Sequence, residues 1–189
     1  MLKRIFKKLY IVNVIILLTL LVNKVYCQDI LGEEKTLKNK KNNITISKTG
    51  FYERIWAIGH PFVVKKAINI SNETKGLCRG ILLRGGLDND ANGGVLDAFR
   101  HAYWMARLAQ EMSWRKAYSL GLAHEKTNRR NFKKKIKEDG SVQDSVSCWM
   151  DINNNMFGIS IGISKKDASK EELIREIIEN INKGSFLVI

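Results

Sequence analysis

The stretch VLDAFRHAYWMARLAQEM, residues 95–112, carries the strongest helical pattern of the chain. Its apolar residues recur every three or four positions, which predicts a long helix with one apolar face. Small residues recur along the same helix, which indicates close packing around it. These residues are Ala98, Ala102, Ala106 and Ala109.

Helical patterns continue on both sides of this stretch. Further helices are predicted over residues 51–59, 61–70, 74–83, 114–128 and 144–157, the last of these ending near Gly158 or Gly162. A capping box at Ser169–Glu172 opens a final helix, for which Gly184 suits the C-terminal cap. Strand signals are sparse. We therefore expect a mainly α fold, a single compact bundle-like domain of about six helices over residues 51–189.

The composition fits one globular domain. The chain has 189 residues, 44% of them apolar and 27% charged, and a single domain usually spans about 100–200 residues. Three cysteines are too few for a small protein that depends on disulfides. The formal net charge of +13 would suit a nucleic-acid binder, but most of it lies in two segments of the chain.

The N-terminus is the first of these segments. Residues 1–8 carry four cations, residues 9–22 are almost wholly apolar, and Val25 and Cys27 suit the positions before a cleavage site. We predict a signal peptide over residues 1–27 and a periplasmic or secreted protein with no transmembrane helix after cleavage. The alternatives are an uncleaved membrane anchor and a lipid on Cys27. Residues 28–50 are polar and lysine-rich and are expected to form a flexible lead-in.

The second basic segment is Lys126–Lys137, which contains seven cations and no acid. It could bind an anionic component of the cell envelope, or it could be a solvated extension of a helix. Only Phe132 and Ile136 offer it apolar contacts, so the signal for nucleic acid is weak. Export would place Cys78 and Cys148 in an oxidising compartment, where they could pair; the alternative is two buried thiols.

Three polar patches on predicted helices carry the residues with chemical potential. In the first, Asp97 and His101 share a helix face because they are four residues apart, and Arg100 and Trp104 share the neighbouring face. A carboxylate one turn from an imidazole can orient it or join it as a metal ligand. A surface ion pair is the plainer interpretation of the same spacing.

The other two patches are His124 with Glu125, and Asp151 with Asn154 and Asn155 one turn further along. Together the patches supply nitrogen and oxygen ligands that suit zinc, iron or manganese, and an open coordination position would support hydrolysis. Without a metal, the same groups could form a hydrogen-bond network that braces the helices.

These patches lead to specific assignments. A divalent metal such as zinc would be held by His101, His124 and Asp151. Glu125 would act as general base, Asp97 would orient His101, and Arg100 would stabilise an anion. Asn154, Asn155 and Trp104 would support the polar site. A calcium loop is also suggested by Asp88, Asp90 and Asn92, but its twelfth position is Phe99 where a glutamate is needed, so a turn is favoured.

Taken together, the segments DAFRHAYW (97–104), AHE (123–125) and MDINN (150–154), with Gly158, resemble the signature of a bacterial domain family of unknown function, DUF6973-like. The resemblance covers about residues 84–189. It implies a compact α-helical domain with an Arg-His, a His-Glu and an Asp/Asn-Asn constellation, and it implies no established reaction.

Two functions remain open on the sequence. The first is an exported metal-dependent hydrolase of the cell envelope. The second is a non-enzymatic binding module, in which the three patches form a buried polar brace and the basic helix docks an anionic partner. Convergence of the patches around an accessible cleft would favour the enzyme, whereas side chains that are enclosed and mutually satisfied would favour the module.

Overall fold

Six α-helices make up the described part of the chain. The computed structural model describes residues 49–88, Asp90, residues 93–134 and residues 145–188. The helices are α1 (Phe51–Gly59), α2 (Pro61–Leu83), α3 (Val95–Glu111), α4 (Trp114–Lys133), α5 (Ser145–Ser164) and α6 (Lys170–Asn182). No strand occurs within these ranges. The expected mainly α, bundle-like fold of about six helices is confirmed.

Some predictions from the sequence concern residues that the structure does not describe. The signal peptide predicted for residues 1–27, almost all of the lead-in and the end of the basic tract at residues 135–137 lie outside the described residues. Of the six helices described, none combines the length and the apolar character that crossing a lipid bilayer requires.

Helix α3 is the centre of the bundle. It contacts α2, α4, α5 and α6, and 12 of its 17 residues are buried. Its residues take part in two apolar clusters. Phe99 packs with Leu77 of α2 and Ile177 of α6, and Leu108 packs in a second cluster with Trp56 of α1 and Ile159 of α5. Helix α1 packs mainly on α4.

Helices α3 and α5 approach so closely that their backbones are in contact. A Cβ atom added to Gly158 would lie 2.5 Å from Ala102 O, and one added to Gly162 would lie 2.8 Å from Ala106 Cα. The sequence predicts that α5 ends near Gly158 or Gly162; the helix continues through both glycines and ends two residues after the second, at Ser164. The two glycines instead allow the backbone of α3 to approach α5, and they lie opposite Ala102 and Ala106 of α3.

Helix α2 is also longer than expected. The sequence predicts a break between Ile70 and Thr74, but one helix of 23 residues runs through this region. Thr74 is not a cap, because its hydroxyl donates to Ile70 O within the helix at 2.9 Å. Helix α4 likewise continues past Asn128 to Lys133.

Helix ends behave as the sequence indicates at two places. In the capping box of α6, Glu172 N donates to Ser169 Oγ and Ser169 N donates to Glu172 Oε2. Gly184 follows that helix with a positive φ of 71°. At α3, Asp88 accepts hydrogen bonds from the backbone N–H groups of Val95 and Leu96, so its carboxylate caps this helix.

A second polar network lies away from the three patches. Glu73 of α2 accepts hydrogen bonds from Tyr103 Oη at 2.8 Å, from Arg107 Nε at 3.0 Å and from Lys170 Nζ at 2.6 Å. Burial raises the pKa of Glu73, but the Lys170 hydrogen bond and the Arg107 charge outweigh it, so the pKa lies below its usual value. This network ties α2, α3 and α6 together.

Candidate functional site

The facing sides of α3 and α5 bring together Asp97, His101 and Asp151. His101 Nε2 lies 3.5 Å from Asp97 Oδ1 and 3.3 Å from Asp151 Oδ1. One ligand atom from each of the three residues lies within 4.8 Å of the other two. All three side chains are buried. We call this group the Asp-His-Asp cluster.

The hydrogen bonds around His101 define its protonation. Its Nδ1–H donates to Asn155 Oδ1 at 3.0 Å, and the orientation of that amide is set by Glu125, which accepts from Asn155 Nδ2. Burial and the charge of Arg100 lower the pKa of His101 well below its usual value, so the ring is neutral. The Nε2 atom therefore presents a lone pair to the two aspartates.

Asp151 is the least satisfied residue of the cluster. Neither of its carboxylate oxygens receives a hydrogen bond from any described residue, although both are buried. Burial, with the nearby charges of Glu125 and Asp97, raises the pKa of Asp151 to about 8. A buried carboxylate without a donor is costly unless a proton or a cation neutralises it.

Asp97 is better supported than Asp151. Its Oδ2 accepts a hydrogen bond from Gly93 N at 2.7 Å, and its Oδ1 forms an ion pair with Arg100 Nη2 at 2.5 Å. Burial raises the pKa of Asp97, and Arg100 acts in the opposite direction. The same guanidinium lies 3.4 Å from His101 Nε2. Asp97 therefore faces His101 as part of the cluster, and Arg100 provides part of the compensating charge.

Glu125 reaches the same region from α4. Its two carboxylate oxygens accept hydrogen bonds from Asn155 Nδ2 at 3.4 Å and from Asn128 Nδ2 at 3.3 Å. Burial raises the pKa of this carboxyl group. Asn128 Oδ1 is buried, and no described residue donates to it. The site thus contains three buried carboxyl groups and one neutral imidazole.

His124 stands beside the Asp-His-Asp cluster rather than in it. Its ring centre lies 6.1 Å from that of His101, and its Nδ1–H donates to Glu53 Oε1 of α1 at 2.9 Å. Thr127 donates to the other oxygen of Glu53. When the His124 imidazole is neutral, its one N–H is therefore at Nδ1 and its Nε2 carries a lone pair. The predicted ligand set of His101, His124 and Asp151 is only partly gathered, and Asp97 lies where His124 was expected.

Glu53 is the site residue that the sequence did not indicate. It is 71 positions away from His124, and its own helix has no other polar pattern that points to a site. Its one signal is that no other acid occurs between residues 49 and 72. The lack of other acids nearby does not show that Glu53 contacts His124 on another helix.

The chain matches a family described as Domain of unknown function (DUF6973) over residues 54–185, which are 132 of its 189 residues. The chain belongs to this family. No curated protein and no solved structure was found to match it. The DUF6973 match begins at residue 54 rather than near residue 84, so it includes α2 and residues 54–59 of α1 as well as the three patches.

The three predicted support residues of this DUF6973 domain differ in their roles. Asn155 lies in the site, as described above. Asn154 points elsewhere: its Nδ2 donates to Leu187 O at 2.9 Å and its Oδ1 accepts from Leu187 N at 3.0 Å. It therefore holds the C-terminal tail, whose Phe186 is buried against Phe157. Trp104 packs edge-on against the His124 ring at 5.3 Å.

Neither described cysteine of the DUF6973 domain belongs to the Asp-His-Asp cluster. Cys78 and Cys148 are both buried as thiols, and these two described residues form no disulfide with each other. Burial raises the pKa of the Cys78 thiol to about 12. Cys78 therefore stays protonated and acts as a small apolar side chain beside Leu77 and Ile81.

Proposed function

We propose that the Asp-His-Asp cluster binds a divalent metal ion and that the protein is an exported, metal-dependent hydrolase of the cell envelope. The observation that carries this proposal is Asp151, a buried carboxylate to which no described residue donates a hydrogen bond, next to the lone pair of His101 Nε2. One cation between these atoms would satisfy both of them. Export rests on the basic and apolar pattern of residues 1–27.

The ligand types narrow the choice of metal. One imidazole and two carboxylates suit zinc, iron or manganese better than a metal that selects thiolates. Three protein ligands leave coordination positions for water or substrate, which is the arrangement of catalytic rather than structural metal sites. A bound ion would supply a Lewis acid and would lower the pKa of a coordinated water.

The protein groups around the cluster support hydrolysis. Glu125 is a carboxyl group with a raised pKa, held by two amides, and a base of this kind works best when its pKa is near the operating pH. Arg100 and His124 have side chains that are 22% and 23% exposed, so they can meet a substrate from solvent. Arg100 can then stabilise an anion, as the sequence suggests.

A second candidate, the non-enzymatic binding module, is favoured by one observation. Asp97 and Asp151 are fully buried and His101 is 1% exposed, which suits a polar brace between helices. Against this alternative, no described residue donates a hydrogen bond to either oxygen of Asp151, so Asp151 can join such a brace only as a protonated carboxyl group that donates to His101 Nε2.

Metal analysis of the purified chain tests the metal part of the proposal. We expect one divalent ion per chain by elemental analysis and by calorimetric titration of the metal-free protein with Zn²⁺ and Mn²⁺. His101→Ala and Asp151→Asn should abolish binding. His60→Ala and Asp167→Asn are matched controls, since these residues are outside the cluster, and they should bind as the wild type does. A folded wild type that neither contains nor binds metal would contradict the proposal.

The hydrolase part needs a separate measurement. Cleavage of ester, phosphodiester, peptide and glycan model substrates should require the metal and should fall sharply in Glu125→Gln while its metal content stays unchanged. If the protein binds metal but cleaves none of these bonds, the binding-module alternative is supported. Cell fractionation with N-terminal sequencing tests export, for which a mature chain that starts at Gln28 is expected.

A further inference from the structure

The outer side of α1 and the start of α2 carry an exposed apolar stripe. Of its members, Phe51, Ile55 and Ile58 lie at helical spacing on α1, and Phe62 lies in the first turn of α2, just after the non-helical His60. The last two are unusually open, since Ile58 is 81% exposed and Phe62 is 99% exposed. Isolated exposed apolar residues are common, but a contiguous row of them marks an interaction surface.

The surroundings of this stripe are cationic. Arg54 lies within it and Lys65 follows one turn after Phe62, and both are exposed; the neighbouring Lys66 forms an ion pair with Glu111 at 3.0 Å and adds no net charge to this face. Residues 54–72 contain no acid. The nearest acid in the sequence, Glu53, is held by His124 and Thr127 and does not offset these charges at the surface.

Helix α4 extends the cationic surface. It packs antiparallel to α1, because Tyr52 N contacts Thr127 Oγ1 while Trp56 Nε1 contacts Ser119 Oγ. At the start of the stripe, the Arg130 guanidinium lies 4.1 Å from the centre of the Phe51 ring. The described part of the basic tract thus adjoins the apolar stripe. The one acid of α4 is the buried Glu125.

We propose that this face, the apolar stripe with the cations of α1, α2 and α4, docks on an anionic lipid surface. Aliphatic and aromatic side chains flanked by lysine and arginine are the combination that lies in a lipid interface, where the apolar groups enter the acyl boundary and the cations meet headgroup phosphates. A nucleic acid would use the cations but offers nothing to Ile55 and Ile58, which cannot stack on bases. This proposal does not depend on the metal site.

Site-directed spin labelling of the full chain tests the docking. The label is placed at Phe62→Cys in a Cys27→Ser background, where the two remaining cysteines are buried. Leu83→Cys is the matched control, because Leu83 is an exposed apolar residue on the same helix, about 30 Å further along it. Residues 9–22 are themselves apolar, so the readout is immersion of the label and not sedimentation of the chain with vesicles.

On vesicles of phosphatidylcholine with phosphatidylglycerol, the label at position 62 should lose access to a water-soluble relaxation agent and gain access to oxygen. The label at position 83 should not change, and vesicles of phosphatidylcholine alone should give a much weaker effect. Arg54→Gln and Lys65→Gln should each reduce the partition coefficient onto these vesicles about fivefold, the contribution of one cation near an anionic surface.

Three results would overturn the proposal. The label at position 62 could stay accessible to water on chains bound to the anionic vesicles. It could be shielded before any vesicle is added, which would mean that another part of the chain or a second copy covers the stripe. It could be shielded by single-stranded DNA or by RNA and not by lipid, which would identify a nucleic-acid surface.

Discussion

His101 Nε2 lies 3.3 Å from Asp151 Oδ1, and both residues are enclosed by the helix bundle. Because burial raises the pKa of Asp151 to about 8 while the pKa of His101 is lowered, the proton between them resides on Asp151 at neutral pH in the metal-free protein. A metal ion bound as proposed would have to displace this proton. Its affinity would therefore depend on pH through this one carboxyl group.

The first prediction concerns this coupling. Metal affinity should rise with pH, by about tenfold per unit while one proton is released, and should level off above a pH of about 8. Calorimetric titration of the metal-free chain with Zn²⁺ at several pH values measures it. An affinity that is constant between pH 6 and pH 8 would contradict this reading of Asp151.

The stability of the metal-free protein should show the opposite dependence on pH. Asp151 has a pKa of about 8 in the folded chain and about 4 when unfolded, so the folded state binds more protons between these values and loses stability as pH rises. Burial shifts the pKa values of Asp97 and Glu125 in the same direction. Urea denaturation in the presence of a chelator should give a decrease of a few kcal/mol across this window.

Asp151→Asn is the control for that measurement. It removes the titrating carboxyl group at nearly constant volume, so the decline in unfolding free energy with pH should become shallower. A variant with the same slope as the wild type would show that another group is responsible.

Substitution of His124 tests whether this residue is a ligand of the proposed metal or only lies beside the site. Because it donates to Glu53 and lies outside the Asp-His-Asp cluster, His124→Ala should retain one metal ion per chain while hydrolysis falls. Glu53→Gln should have a smaller effect in the same direction, since it weakens the orientation of the ring and keeps the ring itself. Loss of metal in His124→Ala would restore His124 as a ligand.

Glu73 should contribute to stability in a different pH range. Its pKa is lowered, so its contribution is present above the unfolded value of about 4.5 and is lost as the pH falls below it. Glu73→Gln should cost roughly 1–3 kcal/mol at neutral pH, because Arg107 and Lys170 lose their shared partner but stay partly solvated. The variant should also lose this part of the acid sensitivity in urea denaturation. If the unfolding free energy of Glu73→Gln falls at acid pH as steeply as that of the wild type, the role given to Glu73 is contradicted.

Glycine replacements test the contact between α3 and α5. Gly158→Ala and Gly162→Ala should each destabilise the fold by roughly 1–3 kcal/mol, because the added methyl group meets backbone atoms of Ala102 or Ala106. Gly59→Ala is the matched control, with no atom within 4 Å of its added Cβ, and should change the unfolding free energy by less than about 1 kcal/mol. Equal effects at all three positions would mean that helix propensity alone determines them.

Much of the fold could be predicted from local patterns. Capping signals and apolar periodicity identified the helices, and the capping box at Ser169 was correct. The errors share one cause. Thr74, Gly158 and Gly162 have the character of helix ends, but each sits inside a helix because tertiary packing outweighs local propensity.

The site was predictable to a similar degree. Spacing placed Asp97 and His101 on one helix face, and the polar residue types of the third patch suggested Asp151 as a ligand from another helix. Which imidazole faces the aspartates depends on how α4 is rotated against α3, and spacing within one helix does not contain that information. For the same reason Glu53 and the Glu73 network could not be foreseen, since each depends on pairs far apart in sequence.

The glycine contact between α3 and α5 also sets the width of the proposed metal site. His101 immediately precedes Ala102 on α3, and Asp151 and Asn155 lie within two turns before Gly158 on α5. The gap between the aspartate and imidazole atoms is therefore fixed by how near two backbones can come. The small residues Gly158 and Ala102 would then determine which ionic radius fits the site. One methyl group added at position 158 would change that preference without altering any ligand.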